Sequence, residues 1–354
     1  MTLTEASFYA RKFAPFAVFV FVVVLIFFYS IKLLFLILSL NQPKTLYINP
    51  IFKEIRSIVL KKEATTSAGF SFTLDTVEGQ PVTATETAQV YLLPQSKFQF
   101  DYLPRVYLMA KMLGFDTEVV KHKLVNNEAI FEDGKRKLTV DINTYNFRYD
   151  YDFRRDTALV TDATIPDRDQ LENVAINFLN SIDRYPKELS KGKTNAIYLK
   201  YDTEASSAAV VDEPQLANMI EIDFYRPDVG QYPSVSSSYY NSQNYVMIMP
   251  STSQSAKVIS AQMKFFERSE EQVGVYPLMT GQQAYEKLLA GKGILISQGS
   301  GKKNIAIKKI FLGYYDPDIY QEYYQPVYVF LGDDNFVSYV PAVSDTYLID
   351  ESKL

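Results

Sequence analysis

From Phe13 to Leu40 the chain is almost unbroken hydrocarbon, with Lys32 its one charge, and nothing later in the sequence resembles it. A helix rises about 1.5 Å per residue and a bilayer core is about 30 Å thick, so roughly 20 apolar residues cross it. Residues 13–40 therefore predict one transmembrane helix in the lipid bilayer, preceded by a short cytoplasmic tail at 1–12. A cleavable signal peptide is the alternative, since Arg11 and Lys12 form a charged leader. The apolar core is too long for one, and no small-residue cleavage site follows it. Lys32 can snorkel to an interface if the span centres near Val22.

After residue 40 the pattern changes to helical faces alternating with strand periodicity. Val106, Met109, Ala110 and Leu113 share a helical face that stops at Gly114. Leu171, Val174, Ala175, Phe178, Leu179 and Ile182 form a second, with Asp167 or Asp169 as cap and Pro186 beyond. Ala284, Tyr285, Leu288 and Leu289 form a third, opened by Thr280 and closed at Gly291 or Gly293. Strand patterns follow each helix: 118–124, 129–131 and 137–142; then 196–201, 219–225 and 245–249; then 305–314, 327–331 and 336–340. Asp133-Gly134 and the turn at 332–335 close hairpins. Short turns between neighbouring strands require antiparallel pairing. The expected fold class is therefore α+β: one N-terminal transmembrane helix, then tandem helix-on-antiparallel-sheet modules. Their expected bounds are 41–165 with a membrane-proximal stalk, 166–250, and 251–354, the serine-rich stretch 251–255 serving as a linker. Tyr239 and Tyr240, inside the serine stretch 234–244, form either a recognition tip or rings packed back on the body.

Composition narrows the compartment. The chain has no Cys, no Trp, one His, 27 Tyr and 24 Phe, with formal net charge -5. Without cysteine there are no disulfides and no thiolate metal sites, and Asn-x-Ser/Thr acceptors are absent too, which fits a bacterial cell surface. The acidic balance argues against nucleic acid as a partner, and Lys302-Lys303 and Lys308-Lys309 read as solvated edges or turns. Arg11 and Lys12 favour a cytoplasmic N-terminus and an extracytoplasmic body, although Lys44, Lys53, Arg56, Lys61 and Lys62 follow the span closely.

Candidate chemistry is sparse. His122 would have to serve any histidine triad, but it alternates with Lys121 and Lys123 in a strand-like run and reads as a surface position. Gly299-Ser300-Gly301-Lys302-Lys303 lacks the spacing, the hydroxyl residue and the following helix of a phosphate loop, and reads as a flexible hairpin loop. Asp316-Pro317-Asp318 and Asp333-Asp334-Asn335 carry oxygen ligands without the spacing of a calcium loop, and read as turns. No catalytic residue, metal or cofactor is assigned. Aromatic density near the C-terminus is the remaining signal: Tyr314, Tyr315, Tyr320, Tyr324, Tyr328 and Tyr339 form a candidate binding surface, with a half-buried sheet as the bland alternative.

The run Val-Tyr-Pro-Leu-Met-Thr-Gly-Gln-Gln-Ala-Tyr-Glu-Lys-Leu-Leu-Ala-Gly-Lys-Gly at 275–293, with Leu-Gly-Tyr-Tyr at 312–315 and Gln-Pro-Val-Tyr-Val-Phe at 325–330, resembles the C-terminal domain of YycH/YycI-type regulatory proteins and the wider PepSY group. The resemblance covers about residues 257–345. It implies a single membrane helix, an extracytoplasmic body and contact with a membrane sensor histidine kinase, and it lends no catalytic residues. The expected function is a membrane-anchored, non-enzymatic protein that regulates or scaffolds another envelope or membrane protein. The alternative is an envelope protein recognising peptide or glycan through its tyrosines.

Overall fold

The computed structural model describes residues 3–40, 47–60, 66–96, 101–156, 159, 165–250 and 256–349. The chain divides into two compact units, Met1–Leu46 and Tyr47–Leu354.

The first unit is one helix, α1 (Leu3–Leu40), which continues through most of the expected tail. Within it the 23 residues Phe13–Phe35 have mean hydropathy 2.7 and none of the described side chains is buried, so the segment is long and apolar enough to cross a membrane. A run rich in Val, Ile and Phe would favour a strand in water; in hydrocarbon a helix alone bonds every backbone group within the segment.

The second unit begins with β1 (Ser71–Leu74), β2 (Thr87–Leu92), α2 (Tyr102–Met112), β3 (Lys123–Val125), β4 (Glu128–Glu132), β5 (Arg136–Asp141) and β6 (Phe147–Tyr151). Next come α3 (Arg168–Ser181), β7 (Thr194–Asp202), β8 (Ser207–Val210), β9 (Met219–Phe224), β10 (Ser234–Val235), β11 (Tyr245–Met249) and β12 (Lys257–Met263). The remainder holds β13 (Val273–Pro277), α4 (Gly281–Leu289), β14 (Ile294–Gln298), β15 (Asn304–Tyr315), β16 (Tyr323–Tyr324), β17 (Pro326–Gly332) and β18 (Phe336–Pro341).

Nine strands make one antiparallel sheet in the order β3-β4-β5-β6-β12-β11-β9-β7-β8. β12 joins its halves, setting Ser260 opposite Asp150 of β6 and Ala261 opposite Val246 of β11. Helices α2 and α3 cover one face through Val106, Met109, Ala110, Leu171, Ala175 and Leu179, which pack on Phe131, Val140, Ile222 and Val246. Burying each such side chain stabilises the unit by about 1.5–3 kcal/mol. A second sheet runs β1-β15-β17-β18-β14, with β10 also on β15, and β13-β2-β16 form a third. β1 and β10 lie parallel to β15, the other pairs antiparallel. α4 covers one face of the second sheet through Ala284, Tyr285 and Leu288, while Ile58 and Val235 pack on the other with Val327 and Val329. Burial on both faces explains the unbroken apolar run of β17.

The pairing cuts across the bounds read from sequence. Strands of 41–165 and 166–250 share one sheet, and β12, placed in the third module, completes it. β1 and β2 instead pair with C-terminal strands, and Ile55 is buried beside Val90, Tyr276 and Val343. The linker expected at 251–255 lies outside the described residues. All three amphipathic segments form helices, but Leu289 is 48% exposed because it lies about 100° around the helix from Leu288. The strand expected at 118–124 starts only at Lys123, because a turn held by Asp116, whose carboxylate accepts from the Glu118 N–H at 3.1 Å, occupies the residues before it.

Candidate functional site

Five of the six candidate tyrosines are buried, so they do not form an open surface. Tyr314, Tyr315, Tyr324, Tyr328 and Tyr339 are each at most 1% exposed; Tyr320 is 37% exposed. Tyr314 and Tyr315, successive on β15, point to opposite faces. Tyr314 stacks on Tyr324 with centroids 5.3 Å apart and donates to the Gln89 carbonyl at 2.9 Å, whereas Tyr315 packs edge-on to Tyr339. Tyr339 donates to Ser236 O at 2.8 Å, Tyr328 to Met279 O at 2.9 Å, and Tyr320 to Leu93 O at 3.0 Å. The hydroxyls of Tyr314, Tyr320, Tyr328 and Tyr339 thus each satisfy a carbonyl of another chain segment. The Tyr315 hydroxyl alone among the six is buried without a partner.

The serine stretch is packed down in part: Ser236 and Ser242 are buried, while Tyr240 stays 44% exposed. Ser234 Oγ and Tyr324 Oη lie 2.5 Å apart, and the Tyr225 hydroxyl donates to Tyr240 O at 3.2 Å. Tyr239 and Tyr240 meet edge to face at 4.9 Å.

Beside these tyrosines is a buried ionic node that joins the nine-stranded sheet to the C-terminal ones. Arg226 follows β9, where Pro227 forbids the strand hydrogen bond that would continue the ladder. Its fully buried guanidinium meets Asp316 Oδ1 at 2.6 Å and Glu188 Oε2 at 2.9 Å, and also donates to Phe266 O. It sits 4.0 Å from the Phe265 ring centroid and 5.2 Å from that of Tyr324. Gln243 Nε2 donates to Asp316 Oδ2 at 2.7 Å, and Arg268 pairs with Glu188 at 3.0 Å. Burial acts to lower the Arg226 pKa, but Asp316 and Glu188 outweigh it and the net shift is upward.

On the polar face of β9, Glu221 and Asp223 lie two residues apart and so side by side. Asp223 is closed off from solvent; its Oδ2 accepts from the Ser242 N–H at 3.0 Å and the Tyr225 hydroxyl at 3.2 Å, while its Oδ1 has no partner. Burial, with a contribution from Glu221, pushes the Asp223 pKa up to about 7 despite the Ser242 hydrogen bond, and burial raises Glu221 too. The pair can take up a proton near neutrality, but a closed carboxyl presents no reacting face to a substrate.

The remaining motifs occupy structural places. His122 is half-buried rather than on an open strand face: its Nδ1 lies 3.2 Å from the Tyr107 hydroxyl, with the Tyr107 and Tyr102 rings edge-on to it. The loop 299–303 is not a hairpin, since β14 and β15 are not neighbours in the sheet. Ser300 and Lys302 fasten it to Asp334 Oδ2 at 2.8 and 2.6 Å, and Gly299 adopts φ +57 against the Asp334 carbonyl, leaving no room for a Cβ. Asp333 Oδ1 caps the Ala306 N–H at 3.1 Å. Among the described residues no three His, Asp or Glu side chains converge as a metal-binding set.

Sequence reading missed Arg226, Glu188, Glu221 and Asp223. The alternation Met-Ile-Glu-Ile-Asp-Phe marks the acids as facing away from the core, but only the distant loop at 236–244 closes over them.

Comparison with known proteins adds little. No protein-family model matches the chain, and no curated protein matches it. A solved structure of an uncharacterized protein from Eubacterium rectale ATCC 33656 aligns over 74% of this chain and 84% of its own, with 12% sequence identity and a TM-score of 0.33.

Proposed function

We propose that this is a single-pass, membrane-anchored protein whose extracytoplasmic body works by binding another membrane or envelope protein, as a regulator or scaffold, without catalysing a reaction. The observation that carries the reading is the exposed helical surface of Phe13–Phe35, 23 residues of mean hydropathy 2.7 with Lys32 their one charge. Such a surface needs an apolar solvent. A binding role fits the body: most of the candidate tyrosine hydroxyls and the buried Arg226 are spent on internal contacts, while Leu108 and Met112, at i and i+4 on α2, stay 57% and 52% exposed. The sequence resemblance of residues 257–345 to YycH/YycI-type regulators makes a sensor kinase the first partner to test. Burial of five of the six candidate tyrosines weighs against a peptide or glycan binder that relies on them.

Alkaline extraction of membranes and protease treatment of intact cells test the anchor and its orientation. The proposal expects the full chain to resist extraction and the body to be digested from outside. Release by alkali, or a body shielded in intact cells, would overturn it.

A further inference from the structure

Two other arginines converge on one pocket beside α2 and the end of α3, and among the described residues neither forms an ion pair. α2 supplies Arg105, Leu108 and Met109, the turn between β5 and β6 supplies Tyr145, and the chain leaving α3 supplies Ile182, Asp183 and Arg184; together they line a pocket of about 50 Å³. The segment is held by hydrogen bonds from the Arg184 N–H to Leu179 O at 2.8 Å and from the Asp183 N–H to Asn180 O at 3.0 Å, with Asp183 at φ 55. Arg105 lies over the Tyr145 ring at 5.3 Å from its centroid. Among the described residues the Arg184 guanidinium donates to the Thr144 carbonyl, at 3.4 Å, and its Nε is buried without a partner. Among the described residues no carboxylate comes within 4.0 Å of either guanidinium. Burial lowers the Arg184 pKa; Asp183 and Glu267 partly offset this, and Arg105 adds to it.

An unpaired buried donor costs free energy, as do two like charges brought together, and an oxyanion relieves both. The pocket volume limits its size: at roughly 10–15 Å³ of such space for each water, about 50 Å³ takes only a few waters, room for a carboxylate on a short alkyl chain. Leu108, Met109 and Ile182 offer an apolar wall rather than further donors. We propose that this pocket binds a small aliphatic carboxylate, acetate- or propionate-sized, with its oxygens on Arg105 and Arg184 and its alkyl end against Leu108, Met109 and Ile182. Asp183 at the wall and Glu267 nearby temper the positive field, so the expected affinity is modest, with Kd on the order of 1 mM. The inference does not depend on the anchor or on any protein partner.

Titration calorimetry of the full chain in a non-ionic detergent, with propionate, acetate and inorganic phosphate as probes, tests it. Propionate should bind at one site, phosphate more weakly. Arg105→Gln, a change at an exposed side chain that leaves the core intact, should weaken propionate at least tenfold, whereas Arg154→Gln, on another surface, should leave it unchanged. Absence of saturable propionate binding, equal binding by Arg105→Gln, or tighter binding of phosphate than of propionate would each overturn the proposal.

Discussion

The protein carries two pairs of converging arginines, and they are treated in opposite ways. Arg226 and Arg268 share Glu188, Arg226 also holds Asp316, and both guanidiniums lie over aromatic rings. Arg105 and Arg184 have one ring and one long hydrogen bond between them, and a pocket in front. The first pair is closed, neutralised and placed where two sheets meet. A charge used as a fastener has its partners built in; a charge kept for a ligand lacks them. The same distinction separates Tyr339 and Tyr328, whose hydroxyls are bonded within the chain, from Tyr315, whose hydroxyl is buried without a partner.

Substituting one member of each arginine pair sets the two regions against each other. Arg226→Met leaves Asp316 buried without its counter-charge and should destabilise the body by about 3–5 kcal/mol in denaturant titrations, a loss that Asp316→Leu in the same chain partly recovers. Arg184→Met removes a half-buried charge that has no carboxylate partner among the described residues and should change stability by less than about 1 kcal/mol. Equal losses would erase the comparison.

Asp223 sharpens it with pH. Its raised pKa means that the charged form opposes folding above about pH 7, and that stability returns as the pH falls from there towards the unfolded value near ~3.9. Asparagine keeps an acceptor for Ser242 and Tyr225 and cannot ionise. Asp223→Asn should therefore stabilise the body by roughly 2–4 kcal/mol at pH 8.5, the gain shrinking through pH 6 and vanishing below about pH 4. A gain independent of pH would assign the effect to packing. The smallest contrast is between neighbouring tyrosines: Tyr339→Phe removes a bonded hydroxyl and should cost about 1 kcal/mol, while Tyr315→Phe removes an unpartnered one and should be neutral or slightly stabilising in thermal melts.

Local pattern carried much of the fold. Thr280 and Gln283 do form a reciprocal cap on α4, each side chain bonded to the other's backbone N–H, and Asp133 with Gly134 turns β4 into β5. What local pattern could not carry was pairing between distant segments. Nothing in Lys257–Met263 indicates that it lies between β6 and β11, and nothing in Ser71–Leu74 indicates a parallel partner more than two hundred residues away. The tyrosines were legible as large amphipathic side chains on strands; whether they faced solvent depended on Ile58, Val235 and Ser236, supplied by remote parts of the chain. Asp316 read as a turn residue because its partner Arg226 lies 90 positions earlier. Helical spacing placed Met109 and Ile182 on core faces, but the meeting of Arg105 with Arg184 follows only from how α2 and α3 pack.

The most direct test of an anchored binding protein is in-membrane crosslinking of the full chain, with a chain lacking residues 1–40 but still exported as the control. The account predicts a discrete membrane or envelope protein captured with the anchored form and lost without it. Capture of the same protein by both forms, or of none by the anchored form, would contradict it.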